Sequence, residues 1–192
     1  MASRTIIAAL QISVDGFIEG PAGEKDWVDS WADSVQLVPD VDTFVLGAGM
    51  YPGYGEYWGA IYANPVGPLP FQEAPPSESE VAYARVAATT RHLIVSRSLD
   101  RVSWPPTAEI VRDIAEVQEL RNQSGGNVYV AGGATLVANL LNANVIDEIR
   151  LIVHPLILGG GKALFGNVAR RTLELVRTES NGSGRAILTY RT

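Results

Sequence analysis

The chain contains no cysteine, which excludes disulfides, thiolate nucleophiles and thiolate-held metals together. Histidine is almost as scarce. His92 and His154 stand far apart, with no H-x-x-x-H or H-E-x-x-H spacing, so no metal site is expected and both rings are read as structural. No apolar run approaches the ~18 residues of a membrane span, and the stretch from Thr5 to Leu10 is too short for a signal-peptide core. A cytoplasmic protein that does not use the membrane is expected. Positive charge is also in deficit, with 15 Lys and Arg against 21 Asp and Glu and a net charge of -6. That balance speaks against a nucleic-acid footprint, so an anionic ligand would have to meet a local basic cluster. The triplets Asn122-Gln123-Ser124 and Asn181-Gly182-Ser183 need a secretory route to be glycosylated, and they are read as turns.

What the chain does have is 192 residues, 46% of them apolar, enough to bury one sizeable core in a single domain over 1–192. Thr5 to Val14 is a β-rich apolar run ending at Asp15-Gly16, as expected of a buried strand. Asp26 to Leu37 carries Trp27, Trp31, Val35 and Val38 at near-helical spacing and predicts an amphipathic helix. Thr43 to Leu46 is a second strand, closed by Gly47-Ala48-Gly49. From Pro52 to Ser79 the density of Gly, Pro and aromatic residues predicts mainly loop, a lid or an insertion, before a short helix over Glu80 to Ala88. Most aromatic residues in that stretch are assigned to packing, with Tyr57 and Trp58 as candidate cleft walls.

His92 to Ser96 is a third strand, and Pro105-Pro106-Thr107 reads as the opening of a helix with Ile110, Ile114, Val117 and Leu120 on one face. Asn127 to Ala131, Gly133 to Asn142 and Glu148 to His154 form a strand, helix, strand unit, for which parallel pairing and a right-handed crossover are expected. Arg171 to Ser180 and Arg185 to Thr192 flank Asn181-Gly182-Ser183-Gly184, the signature of an antiparallel hairpin. The sum is an α/β fold: a central mixed, mostly parallel sheet flanked by helices in three layers, closed by an antiparallel C-terminal hairpin.

Chemistry concentrates in Val128-Tyr129-Val130-Ala131-Gly132-Gly133-Ala134-Thr135-Leu136, where a strand runs into a helix through two glycines. Glycine lets a phosphate approach the backbone, and the first-turn N–H groups with the positive end of the helix dipole suit a pyrophosphate. Thr135 adds a hydroxyl. The same two glycines also suit a plain tight turn, since the G-x-G-x-x-G spacing is missing.

Five segments, in order, resemble the dihydrofolate reductase superfamily. They are Ser13-Val14-Asp15-Gly16-Phe17-Ile18, Leu46-Gly47 with Tyr51, Ile94-Val95-Ser96-Arg97, the Gly132-Gly133 turn, and His154-Pro155-Leu156-Ile157-Leu158-Gly159-Gly160-Gly161 with Leu164-Phe165. The nearest likeness is to stand-alone relatives of the reductase domain of the bifunctional riboflavin-biosynthesis deaminase/reductase. The resemblance implies a dihydrofolate reductase-like fold, a homodimer, and hydride transfer from NADPH to a small heterocyclic substrate, as in 5-amino-6-(5-phosphoribosylamino)uracil reduction. NADH is not excluded.

In such a protein the cofactor would lie against Gly47, Ser96, Arg97, Gly132, Gly133, Ala134, Thr135 and Leu136. Arg97 would meet the adenosine 2'-phosphate, or else be an ordinary exposed arginine at a strand end. Asp26 and Asp15 are the candidate catalytic carboxylates. Each also has a structural reading, Asp26 as a helix N-cap and Asp15 as the first residue of an Asp-Gly turn. Asp26, Trp27, Phe17, Gly160 and Lys162 are the candidate substrate contacts, with Trp27 stacking on a flat ring and Lys162 either supplying charge or lying solvated in a turn. Two positions depart from the family pattern. Ala48 stands where relatives often have arginine, and Phe17 stands where riboflavin reductases typically carry a basic residue. Two alternatives stay open: a dihydrofolate reductase proper, which would require Asp26 to bind a pterin ring, and a non-catalytic ligand-binding module, to which Phe17 and Ala48 lend support.

Overall fold

A computed structural model describes residues 4–69, 74–180 and 183–192. Its centre is an eight-stranded sheet in the order β5-β4-β3-β6-β1-β7-β10-β9. These strands are β1 (Ile6–Ser13), β3 (Val41–Gly47), β4 (Arg91–Val95), β5 (Ala108–Val111), β6 (Asn127–Gly132), β7 (Glu148–His154), β9 (Glu174–Ser180) and β10 (Ala186–Arg191). The first six in spatial order run parallel, and β10 and β9 are antiparallel additions on β7. The predicted fold class, with its mostly parallel sheet and C-terminal antiparallel pair, is therefore correct. The hairpin's Asn181 and Gly182 lie outside the described residues.

Burial explains why β1 reads as a continuous apolar run. A parallel strand at the centre of a sheet is covered on both faces, and every residue of β1 is buried. Successive side chains alternate between two cores. Ile6, Ala8, Leu10 and Ile12 join the cluster under α5 (Ala134–Asn142), while Ile7 and Ala9 join an aromatic cluster with Phe44, Tyr54, Trp58 and Tyr83.

Three predicted elements differ. The segment expected to be loop contains α2 (Tyr51–Ala63), followed by α3 (Glu78–Thr89). Its proline falls in the first helical turn, where the missing N–H costs nothing. Its glycines do not break it, because burial of Tyr51, Tyr54, Trp58 and Ile61 in the aromatic cluster outweighs their low helix propensity. A Cβ on Gly59 would stand 3.5 Å from the Trp104 indole, and one on Gly55 would stand 3.4 Å from the Trp104 carbonyl oxygen, ordinary packing distances.

The helix expected from Pro105 begins later. Ala108 to Val111 forms β5 at the sheet edge, and α4 (Ile114–Gln118) starts at Asp113, whose side chain accepts from the Ala115 N–H in a capping box with Glu116. A short Ile-Val run suits strand and helix alike, and pairing with β4 decides it. A 3-10 turn over Glu119–Asn122 follows.

The helix expected over Asp26 to Leu37 reduces to α1 (Asp33–Gln36) after a series of turns. The sheet holds this strap through side chains rather than through a stripe. Gln11 donates to the Ser30 carbonyl at 2.7 Å, Arg150 donates to the Leu37 carbonyl, and Arg185 donates to Asp33 at 2.8 Å. A small second sheet, not anticipated from the sequence, pairs β2 (Phe17–Glu19) with β8 (Lys162–Ala163) in antiparallel fashion. Among the described residues no helix is long and apolar enough to cross a membrane.

Candidate functional site

All six parallel strands deliver their C-terminal ends to one edge, the place where open α/β sheets bind ligands. A cleft of about 1350 Å³ opens there, lined by the ends of β1, β3, β4 and β6, the start of α5 and part of α2. Of the predicted cofactor contacts, Gly47, Ser96, Arg97, Gly132, Gly133, Ala134, Thr135 and Leu136 all line it.

The α5 N-terminus is the best-defined wall. Gly132 has φ +116, and the Gly132-Gly133 peptide is cis. A Cβ at Gly132 would crowd the Leu10 side chain at 3.3 Å, so glycine suits both its conformation and its neighbours. Gly133 is different. Its backbone is extended, at φ -81 and ψ -174, and a Cβ built on it meets nothing within 4 Å. The fold itself does not require glycine at 133, yet the residue stands at the N-cap of a nine-residue helix that no side chain caps. Open space above uncapped first-turn N–H groups fits a bound phosphate. The Thr135 hydroxyl lies exposed in that first turn, while Leu136 packs into the core below.

Two arginines line the same cleft. Arg97 follows β4 and is exposed. Arg112, within a helix by sequence pattern, instead follows β5 and also lines the cleft. One of its guanidinium nitrogens donates to the carbonyls of Ser96 and Leu99 at 2.9 and 2.8 Å, which fixes the side chain across the turn after β4. The Ser96 hydroxyl tightens the same turn by accepting from the N–H groups of Ser98 and Leu99. Ser96 therefore shapes the turn that carries Arg97. The signal for Arg112 is a basic residue directly after the β-branched pair Ile110-Val111, close to the pattern of Ile94-Val95-Ser96-Arg97, where one serine intervenes.

The other end of the cleft is built differently. Glu19 of β2 receives two lysines, the Lys25 and Lys162 ammonium groups each standing 3.5 Å from one carboxylate oxygen. The trio carries one net positive charge and lines the cleft. Trp31, Tyr57 and Trp58 add aromatic surface. The Tyr57 hydroxyl donates to Glu80, and burial with that carboxylate beside it raises the Tyr57 pKa.

The candidate carboxylates fall elsewhere. Asp26 stands on an exposed turn outside the cleft lining, and it opens no helix. Asp15 is also outside the lining. Its carboxylate accepts from the Ser13 hydroxyl at 2.6 Å and from the N–H groups of Gly159 and Leu158 at 2.8 and 3.2 Å. The Ser13 hydroxyl, followed by these N–H groups, holds the Asp15 carboxyl below its ordinary value. Asp15 thus ties the loop after β1 to the loop after β7. Phe17 and Gly160 belong to that joint and do not line the cleft, whereas Lys162 does. Gly161, at φ +118, sits where a Cβ would fall 2.1 Å from the Glu19 carbonyl oxygen.

Trp27 lies outside the cleft lining. Its ring packs edge-on against His154 at 5.0 Å between centroids. Neither histidine lines the cleft. His92 is fully buried, its Nδ1 donating to the Thr90 carbonyl and its Nε2 accepting from the Tyr54 hydroxyl, each at 2.8 Å. Burial pushes its pKa down to about 4. Among the described residues no cluster of three His, Asp or Glu could hold a metal.

Comparison with known proteins agrees with this architecture. The chain is 30% identical over 192 residues to YyaP, an uncharacterized protein of Bacillus subtilis (strain 168), covering 97% of this chain and 94% of that one. Its fold matches a pyrimidine reductase-like protein from Corynebacterium diphtheriae at a TM-score of 0.61 and 14% identity, over 98% of this chain and 91% of the other. The dihydrofolate reductase of Enterococcus faecalis, complexed with NADP(H) and RAB-propyl, matches at a TM-score of 0.61 and 16% identity, over 97% and 95% of the two chains. Residues 4–187 match the RibD C-terminal domain, and the chain belongs to that family.

Proposed function

We propose that this protein is an NADPH-dependent reductase of a small heterocyclic substrate, of the kind represented by 5-amino-6-(5-phosphoribosylamino)uracil reductase. The observation that carries the reading is the open space above Gly133 at the uncapped start of α5, in a cleft that Arg97 and Arg112 also line. The first-turn N–H groups of α5 would hold the pyrophosphate. Arg97 and Arg112 would meet the 2'-phosphate of NADPH, which NADH lacks. Gly47 and Ser96 would line the path between them.

When bound, the cofactor supplies the hydride. The chain's part is to orient the acceptor carbon and to exclude water. The aromatic wall of Trp31, Tyr57 and Trp58 serves as a surface for a flat ring. Lys25 and Lys162, held by Glu19, would meet the negative or carbonyl edge of the substrate, replacing the cation that relatives carry where this chain has Phe17. A dihydrofolate reductase proper would need an acidic group against the substrate ring, and Asp26 stands on an exposed turn away from the cleft. The same reading has the protein acting on a small molecule as a homodimer in the cytoplasm.

The test is a pair of titrations, NADPH and NADH, followed by absorbance assays of NADPH oxidation against a panel of pyrimidines and pteridines. Micromolar or tighter NADPH binding with turnover of at least one heterocycle is the expected result. Tight binding with no oxidation on any compound would point instead to a ligand-binding module.

A further inference from the structure

Gln11 is the only polar residue between Ile6 and Ile12. It sits toward the C-terminal end of β1, is 5% exposed, and lines the cleft. A buried amide on a strand floor carries a desolvation cost that its partners must offset. Two partners are present. Its Nε2 donates to the Ser30 carbonyl at 2.7 Å, and its Oε1 lies 2.8 Å from His154 Nε2.

These two contacts fix the amide without ambiguity. A backbone carbonyl only accepts, so the nitrogen must face Ser30 and the oxygen must face His154. The oxygen accepts in turn, so His154 carries a proton on Nε2 in either of its charge states. Register places Ser13 of β1 opposite His154 of β7, so the imidazole and Gln11 project from the same face of the sheet. Trp27 packs edge-on against that ring and holds it. Burial, followed by the charge of Arg185, lowers the His154 pKa and favours the neutral ring. One N–H of the Gln11 amide has no partner among the described residues.

We propose that Gln11 is a specificity-determining residue, its locked carboxamide presenting one N–H donor to an acceptor atom, a carbonyl oxygen or ring nitrogen, on the substrate heterocycle. The proposal rests on the reductase reading. It narrows the substrate class to flat rings that carry an acceptor where they meet the β1 floor. It also gives Trp27 and His154 a function at one remove, as positioning residues for Gln11.

The experiment compares quinazoline with naphthalene, two probes that share a flat bicyclic frame and differ in the ring-nitrogen acceptors. Binding to the NADPH-loaded protein is followed by tryptophan fluorescence. The unmodified protein is expected to favour quinazoline by about tenfold, the order of one net hydrogen bond. Gln11→Met, which keeps volume and removes the donor, should erase that preference while leaving NADPH affinity within about twofold. Gln11→Glu keeps an oxygen toward His154 and exchanges donor for acceptor, which repels the ring nitrogen, so it should reverse the preference. It serves as the second variant if Gln11→Met does not fold. A quinazoline preference that survives either substitution overturns the proposal. So does an equal loss for both probes in the variants, which would mark Gln11 as structural, or binding of neither probe by unmodified protein that binds NADPH. Failure to bind NADPH would instead fall on the reductase reading itself.

Discussion

The two ends of the cleft are made in different ways. The end beside α5 is assembled from the C-terminal tips of strands and the start of a helix, so its geometry is set by the same backbone hydrogen bonds that make the sheet. The end beside Glu19 is assembled from the strap over 20–38 and the β2–β8 pair, tied in place through the side chains of Gln11, Asp15, Arg150 and Arg185. A site held by regular structure tolerates changes to individual side chains. A site held by straps depends on each tie, and can diverge in substrate while the cofactor end stays fixed.

The largest effect is expected at the joint of the strap. Gly161→Ala places a Cβ against the Glu19 carbonyl at a positive φ, and should destabilise the fold by roughly 2–4 kcal/mol, read by urea denaturation. Any folded fraction should still bind NADPH, because α5 is untouched. Equal loss of both would show that the two ends are one unit.

Next come the arginines. Arg97→Ala and Arg112→Ala should each weaken NADPH by about 10- to 100-fold, the range of a lost charge-assisted hydrogen bond, and leave NADH nearly unchanged. Arg112→Ala also releases the turn after β4, so its effect should be the larger of the two. Isothermal titration with both nucleotides measures this.

How much of this was legible in the sequence follows the same division. Gly132, Gly133 and Arg97 lie at element boundaries, where periodicity and glycine placement mark the position directly. Arg112 was hidden because Ile110-Val111 suits strand and helix equally, and only pairing with β4 decides. Near-helical spacing of Trp27, Trp31 and Val35 suggested one helix, yet each tryptophan answers to a different long-range partner, Trp27 to His154 and Trp31 to the cleft. Asp15 was correctly placed in its loop. Its partners, Leu158 and Gly159, are more than a hundred residues away, and no local pattern announces them. Gln11 did leave a trace, as a lone amide in an apolar run.

A smaller effect is expected from pH. His92 is neutral in the fold and has its pKa lowered to about 4, while the unfolded ring titrates near ~6.5. The stability it secures is complete above ~6.5 and is lost as pH falls toward about 4, amounting to roughly 2 kcal/mol over that window. Denaturation curves between pH 7 and pH 4.5 should show this slope, and His92→Gln should flatten it. NADPH binding at the start of α5 should not follow the same titration.

The smallest effect is assigned to Asp15→Asn. The asparagine amide keeps an acceptor for Gly159 but weakens the charge-assisted bond from Ser13, so the strap should loosen without unfolding. Steady-state assays should show a raised KM for the heterocycle with kcat and NADPH affinity unchanged. A loss in kcat alone would restore a catalytic role for this carboxylate.

The central claim is that the start of α5 is a nucleotide-binding cradle, and one titration tests it most directly. Gly133→Val has room in the fold, since a Cβ there meets nothing within 4 Å, but it fills the space above the first-turn N–H groups. NADPH binding to the unmodified protein and to Gly133→Val would be measured alongside their thermal melts. The account predicts micromolar or tighter binding to the first, about -8 kcal/mol, and no detectable binding to the second, with both proteins folded. Equal binding by the two, or none by the unmodified protein, would contradict it.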